Sequence, residues 1–390
     1  MIYKKINKCR LCGSKKLKKI LSLGNQYLSG VFPKKGQKVH KAPLSLVKCM
    51  GKCGLLQLEH TVKKEYLFGE EYGYRSGINS TMRSHLNYIT KLASSLTDIQ
   101  PNDYVLDIGS NDGTLLSNYP IQYYGVGVDP SINNFIRYYE PRFKRIKGFF
   151  DRKLLKSFPK FKVITSIAML YDLDNPIKFA KDIYECLNKN GVWVTEQSYL
   201  PFMIENSSFD TICHEHVAYY GLRQLEYIAN RTGFKVEKIE KNNINGGSIL
   251  VAFKKGKNST LSDDISFDKL QKFKDKIQKT RDSIVKFINQ ELKCGKKIFG
   301  YGASTKGNVI LQYCKLNNKK IPFIADRNPE KWGRYTPGTK IKIISERDAR
   351  DMKPDYFLVL PWHFAEEIKE REMKFLLNGG KLIFPLRKEN

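Results

Sequence analysis

The stretch VLDIGSNDG, residues 105–113, constrains the fold of this chain more than any other. A short apolar run ends on Asp107. Gly109 and Gly113 then bracket a tight turn that the pattern leads into a helix. Apolar runs of this length between glycine turns read as buried strands. YYGVGVDP, KVITSIAML and GVWVTEQSYL repeat the pattern downstream. Before the last of them, PIKFAKDIYECLNKNG has helical spacing and is expected to stop on Gly191 as a C-cap glycine. Strands alternating with helices predict α/β architecture, a parallel doubly wound Rossmann-like sheet. VEKIE and GGSILVAFKKG are expected to close it as an antiparallel pair.

The 390 residues divide around this core. Residues 1–68 read as a small β-rich unit, with PLSLVKC alternating like a strand. Residues 69–255 form the first α/β domain, of which 69–98 is a lead-in whose spacing becomes helical from Ser80. Residues 256–390 form a second α/β domain. It opens with a polar linker, GKNSTLSDD, and a long amphipathic helix, and continues with KKIFGYGASTKGNVIL, IPFIADRNP and DYFLVLPW.

Composition excludes several classes. Apolar residues make up 41% of the chain, enough for real cores. No apolar run reaches the roughly 18 residues of a membrane span, and MIYKKINKCR has no apolar signal region. A cytoplasmic protein is therefore expected. The net charge of +29 is spread as lysine over every segment and lacks a dense arginine block. That favours a lysine-rich surface over a nucleic-acid footprint, and it suits a phosphorylated or nucleotide-linked substrate.

Three constellations carry chemistry. Four of the eight cysteines fall as Cys9-x2-Cys12 and Cys49-x3-Cys53, in a unit too small for a large core. Two such knuckles supply all four ligands of a tetrahedral Zn²⁺, which leaves a structural site with no open position. In the glycine turn, Asp107 and Asp112 make a poor setting for a pyrophosphate but a good one for a cationic cofactor such as S-adenosylmethionine. Asp129, about 20 residues beyond Gly109, can accept from ribose hydroxyls. The third is TICHEHVAYY. The spacing of His214 and His216 is i, i+2, so the i, i+4 zincin pattern fails. An extended segment would set both on one face, and an acid–base site fits better: a histidine proton acceptor oriented by a carboxylate. EQSY, residues 196–199, ends the fourth strand on the ligand-binding edge of such a sheet.

Taken in order, the four cysteines, YGYRSGINSTM, DIGSNDG, EQSY, HEH, GYGASTKGN and PGTKI resemble the S-adenosylmethionine-dependent nucleotide-sugar C-methyltransferases over nearly the whole chain. The resemblance implies methylation of a ring carbon beside the ketone of a nucleotide-linked 4-keto-deoxysugar, at C3 through an enolate. It implies S-adenosylmethionine and a structural Zn²⁺ as cofactors, and a nucleotide sugar as partner. The resemblance does not set the oligomeric state, for which a monomer is the expectation. Methylation of a sugar hydroxyl is the alternative reaction.

Carried over by motif, Cys9, Cys12, Cys49 and Cys53 are the zinc ligands. Gly109, Asn111, Asp129 and Gln197, with Asp107 and Asp112, belong to the cofactor pocket. By the same resemblance His216 is expected to be the base, with Glu215 fixing its orientation and His214 beside it. Tyr74, or Tyr72, holds or polarises the reacting sugar. Glu196 and Tyr199 of EQSY, and Tyr301, Lys306 and Asn308 of GYGASTKGN, contact the substrate, with Lys306 near phosphates at a helix N-terminus. The chain departs from the family at Cys213, where the family has tyrosine, and in the three-residue spacing of the second knuckle.

Overall fold

A computed structural model describes residues 1–68, 74–257, 260–263 and 265–386. The N-terminal strands are β1 (Tyr3–Lys5), β2 (Leu17–Tyr27), β3 (Lys41–Cys49), β4 (Leu56–Leu58) and β5 (His60–Val62). β2, β3 and β4 form an antiparallel meander, and β1 pairs with β5. The alternation expected of β3 is absent, because both of its faces are covered. Leu44 and Leu46 join a core with Leu270, Phe273, Ile277 and Ile310 from the C-terminal domain. Cys49 joins a different core with Leu106, Ile164 and Phe253. The N-terminal unit therefore borrows core from both of its neighbours.

The central sheet comprises β6 (Tyr104–Ile108), β7 (Tyr124–Asp129), β8 (Lys144–Lys147), β9 (Phe161–Ile167), β10 (Leu187–Ser198), β12 (Phe234–Asn242) and β13 (Ser248–Lys255), ordered β12-β13-β10-β9-β6-β7-β8. β6 to β10 pair in parallel, and β13 joins antiparallel to both β10 and β12. Side chains alternate along each strand. Val105 packs with Met82, Leu86 and Ile89 of the helix Ser80–Ser95. Leu106 faces the opposite way, toward Ile183 of the helix Pro176–Cys186 and Leu225 of the helix Leu222–Thr232. The sheet is thus covered on both faces, as the sequence predicts. The remaining strand of this region, β11 (Ala218–Tyr219), leaves the central sheet and pairs antiparallel with β4.

Two local expectations are corrected. The helix from Pro176 stops at Cys186, and Gly191 lies within β10. Leu187 is buried and pairs with Phe161, which pulls the chain into the sheet four residues early. A Cβ at Gly191 would lie 2.8 Å from the Lys162 carbonyl oxygen and 2.9 Å from Leu187 Cδ1, so glycine serves close approach there and not a helix cap. The turn after Gly113 leads only into a 3₁₀ turn, Leu116–Asn118. Thr114 bonds back to Asp112 there through its backbone N–H and its hydroxyl, and Pro120 soon follows.

The C-terminal domain begins with the helix Phe267–Lys293, whose Leu270, Phe273, Ile277, Ile284 and Ile288 are buried at helical spacing. β14 (Ile298–Tyr301), β15 (Phe323–Asp326), β16 (Lys342–Ser345), β17 (Tyr356–Val359) and β18 (Lys381–Ile383) form an all-parallel sheet ordered β16-β15-β14-β17-β18. The parallel strands of both sheets reverse order about their first strand, β6 or β14, and crevices at such points take ligands. Among the described residues, no helix is long and apolar enough to cross a membrane.

Candidate functional site

The four expected zinc ligands meet. The sulfur atoms of Cys9, Cys12, Cys49 and Cys53 lie within 4.8 Å of one another, with Cys9 to Cys53 and Cys12 to Cys49 each at 3.5 Å. Four thiolates around Zn²⁺ at about 2.3 Å stand about 3.8 Å apart, so the cluster fits the ion. The Gly51 N–H donates to Cys49 Sγ at 3.4 Å. Gln224, from the central domain, donates to the Cys53 carbonyl at 2.7 Å and fastens the knuckle from outside.

A cavity of about 130 Å³ opens at the C-terminal ends of β6, β7 and β9. Asp107, Gly109, Asn111 and Asp129 line it. Asp129 accepts from the Asn111 N–H (3.0 Å) and from the N–H and hydroxyl of Ser131 (both 2.6 Å). Asp107 accepts from Thr165 at 2.6 Å, and burial pushes its pKa up to about 7. Met82, Leu86, Ile167 and Met169 supply apolar walls. Three carboxyl groups, Asp107, Asp129 and Asp172, face a single basic residue, Lys64, among the described lining. That donor set suits the cation, ribose and purine of S-adenosylmethionine and opposes a pyrophosphate.

A second cavity, of about 270 Å³, lies between the central and C-terminal domains. Phe68, Tyr74, Ala168, Asp172 and Asn245 belong to the walls of both cavities, so the two adjoin. Ala168 and Asn245 hold positive φ, 54° each, where β9 and the 242–247 loop turn at this boundary. His216 lines the second cavity. Its Nδ1 donates to the Thr211 carbonyl at 3.0 Å, which leaves the Nε2 lone pair for a ligand. Its ring packs 4.0 Å from that of Tyr171. Burial, with Lys306 nearby, lowers its pKa to about 3, so the ring is neutral. Tyr74 is 43% exposed by area, yet its phenol is desolvated within the cleft and its pKa is raised to about 12.

The HEH segment bends at His214 and Glu215, so its two histidines do not share a face. His214 is fully buried, accepts no role in either cavity wall and pairs through Nε2 with the Ala42 carbonyl at 3.0 Å. The partner that orients His216 is the Thr211 carbonyl and not Glu215. Glu215 lines the second cavity with its carboxylate buried against Gly30, in space a Cβ there would occupy. Burial raises its pKa. Cys213 lines the same wall and is fully buried.

Tyr301 and Lys306 line the second cavity. The Tyr301 hydroxyl lies 2.8 Å from both Glu346 and Glu372 and accepts from Arg371 at 3.0 Å. Lys306 donates to the Asn245 carbonyl at 2.7 Å. Other expected contacts are occupied elsewhere and line neither cavity. Asp112 receives the Gly77 N–H (2.9 Å) and fixes the segment that carries Tyr74. Glu196 pairs with His85 (2.8 Å) and Asn242 (2.7 Å), joining the helix Ser80–Ser95 to β10. Gln197 is buried and accepts from Thr195 at 3.2 Å. Tyr199 donates to Asp263 (2.9 Å), tethering the linker. Asn308 donates to the Ser29 carbonyl (2.7 Å), tying the C-terminal domain to the N-terminal unit. Tyr72 lies outside the described residues.

Several lining residues escape sequence reading: Tyr171 and Asp172 after β9, Asn245 in its loop, and Arg327 and Lys331 after β15. Arg327 followed by Asn-Pro at a strand end is the single local signal among them.

Three family models match the chain in order: "Putative zinc binding domain" over residues 9–68, "Methyltransferase domain" over 79–239 and "C-methyltransferase C-terminal domain" over 262–386. The chain is 29% identical to the C-methyltransferase NovU of Streptomyces niveus, across 99% of this chain and 96% of that protein. Among solved structures, an S-adenosylmethionine-dependent methyltransferase from Clostridium acetobutylicum is 12% identical, covering 46% of this chain and 93% of its own, with a TM-score of 0.35. The plantazolicin methyltransferase BpumL is 16% identical, covering 46% and 87%, with a TM-score of 0.38.

Proposed function

We propose that this chain, a member of the S-adenosylmethionine-dependent C-methyltransferase family, methylates the carbon beside the ketone of a nucleotide-linked 4-keto-deoxysugar, at C3. One observation carries the reading: the cofactor cavity and the cavity holding His216 share a wall, so a methyl group on one side faces an acceptor on the other.

A proton beside a ketone is acidic enough for imidazole. His216 is neutral and tautomerically fixed, so Nε2 takes that proton as the α C–H bond breaks. Tyr74, at the shared wall, donates to the carbonyl oxygen on which the enolate charge gathers. That negative charge beside the ring also offsets the burial and the Lys306 cation that otherwise disfavour imidazolium. Bound S-adenosylmethionine supplies an electrophilic methyl, so the α carbon exchanges hydrogen for methyl and an uncharged thioether remains. Lys306, Lys331 and Arg327 line the far cavity near the N-terminus of the helix Thr305–Tyr313, a setting for a diphosphate.

The test is α-proton exchange and methyl transfer with candidate nucleotide 4-keto-deoxysugars, followed by NMR in D₂O. His216→Asn should lower turnover about 10²–10⁴-fold with cofactor affinity intact. Wild-type exchange rates in that variant would assign the base elsewhere. Methyl found on oxygen would select the hydroxyl-methylating alternative.

A further inference from the structure

A methyl that passes between the two cavities must cross their common wall, so the sulfonium that carries it belongs beside that wall. Of the residues common to both cavities, Asp172 alone carries a carboxyl group. The other carboxyls of the cofactor cavity are committed, Asp107 to Thr165 and Asp129 to Asn111 and Ser131. Asp172 Oδ1 is buried without a hydrogen-bond partner among the described residues. An anion in that position is costly until a cation arrives.

We propose that Asp172 reads the positive charge on the sulfur of the methyl donor, so that the enzyme holds S-adenosylmethionine in preference to the S-adenosylhomocysteine left after transfer, whose thioether is neutral. The inference rests on the cofactor and not on the identity of the acceptor. The groups around Asp172 support it. Burial and the neighbouring Glu215 hold its carboxyl pKa well above the ordinary range, and Lys64 opposes them only partly. Tyr74 shares the wall, and the His216 ring packs on adjacent Tyr171. Burial therefore favours the neutral carboxyl in the empty site and over a thioether, and a sulfonium beside it favours the anion. Loss of the charge thereby weakens the hold on the product.

Titration calorimetry of the full-length zinc-loaded protein at pH 7, in two buffers of different ionisation enthalpy, tests this with S-adenosylmethionine and S-adenosylhomocysteine. The donor should release a proton on binding that the product does not. Asp172→Asn should abolish that difference and lower donor affinity roughly tenfold or more, with product affinity unchanged. Equal proton counts for the two ligands in the wild type overturn the proposal without any variant. So does a donor-to-product affinity ratio that Asp172→Asn leaves unchanged. A proton difference that survives in Asp172→Asn points to Asp107 instead. Failure to bind either ligand removes the cofactor assignment and this inference together.

Discussion

The indole N–H of Trp362 donates to the Asp210 carboxylate at 2.9 Å, and Asp210 immediately precedes Thr211, whose carbonyl holds His216. A C-terminal residue thus braces the segment that holds the His216 ring. Trp362→Phe keeps the ring but leaves a buried carboxylate oxygen without its donor, at about 1–3 kcal/mol. Urea unfolding should register that loss. Turnover should fall more than substrate affinity, with zinc content unchanged.

Metal analysis should find about one zinc per chain, and Cys12→Ser should lose it. The N-terminal unit has a staple in place of a large core of its own. Chelation should therefore lower the thermal midpoint and expose the unit to protease. A chelated protein that resists protease like the holo form would contradict a structural role.

Acid should destabilise the protein through His214. Burial lowers its folded pKa to about 4, below the unfolded value of about 6.5. Between those values the unfolded chain binds a proton that the folded chain refuses. Stability is therefore full above pH 6.5 and declines as pH falls toward 4, by up to about 1.4 kcal/mol per pH unit. His216 adds to the decline over a window that reaches about pH 3. In His214→Gln the slope of stability against pH over 6.5–4.5 should be shallower than in the wild type.

Glu196, paired with His85 and Asn242, is expected to serve stability rather than the substrate. His85→Leu removes one member of a buried pair whose side chains are 9% and 3% exposed, leaving Glu196 with Asn242. The expected loss is on the order of 3 kcal/mol in denaturant, with the substrate KM unchanged in whatever folded protein remains. A raised KM at full stability would restore Glu196 to the binding site.

The glycine turn at residues 109–113 and the acid at 129 are legible in sequence because the chemistry is local. A strand's alternation and a turn fix where Asp107, Gly109 and Asn111 stand. Glu196 and Tyr199 fall outside both cavities, and their partners, His85 and Asp263, are 111 and 64 residues distant, beyond what a local motif can register. His214 and His216 differ by one bend, which puts one on a backbone carbonyl of β3 and the other in a cavity. Asp172 carries no motif at all. Its place is set by two domains meeting.

The two residues of β11 complete the edge of the N-terminal sheet by pairing with β4, some 160 positions earlier in the chain. A ribosome must therefore deliver residue 219 before that sheet closes, however early the four cysteines emerge. A nascent chain halted short of it holds β4 as an open edge. The sheet's completion therefore waits on a strand made long after its other strands.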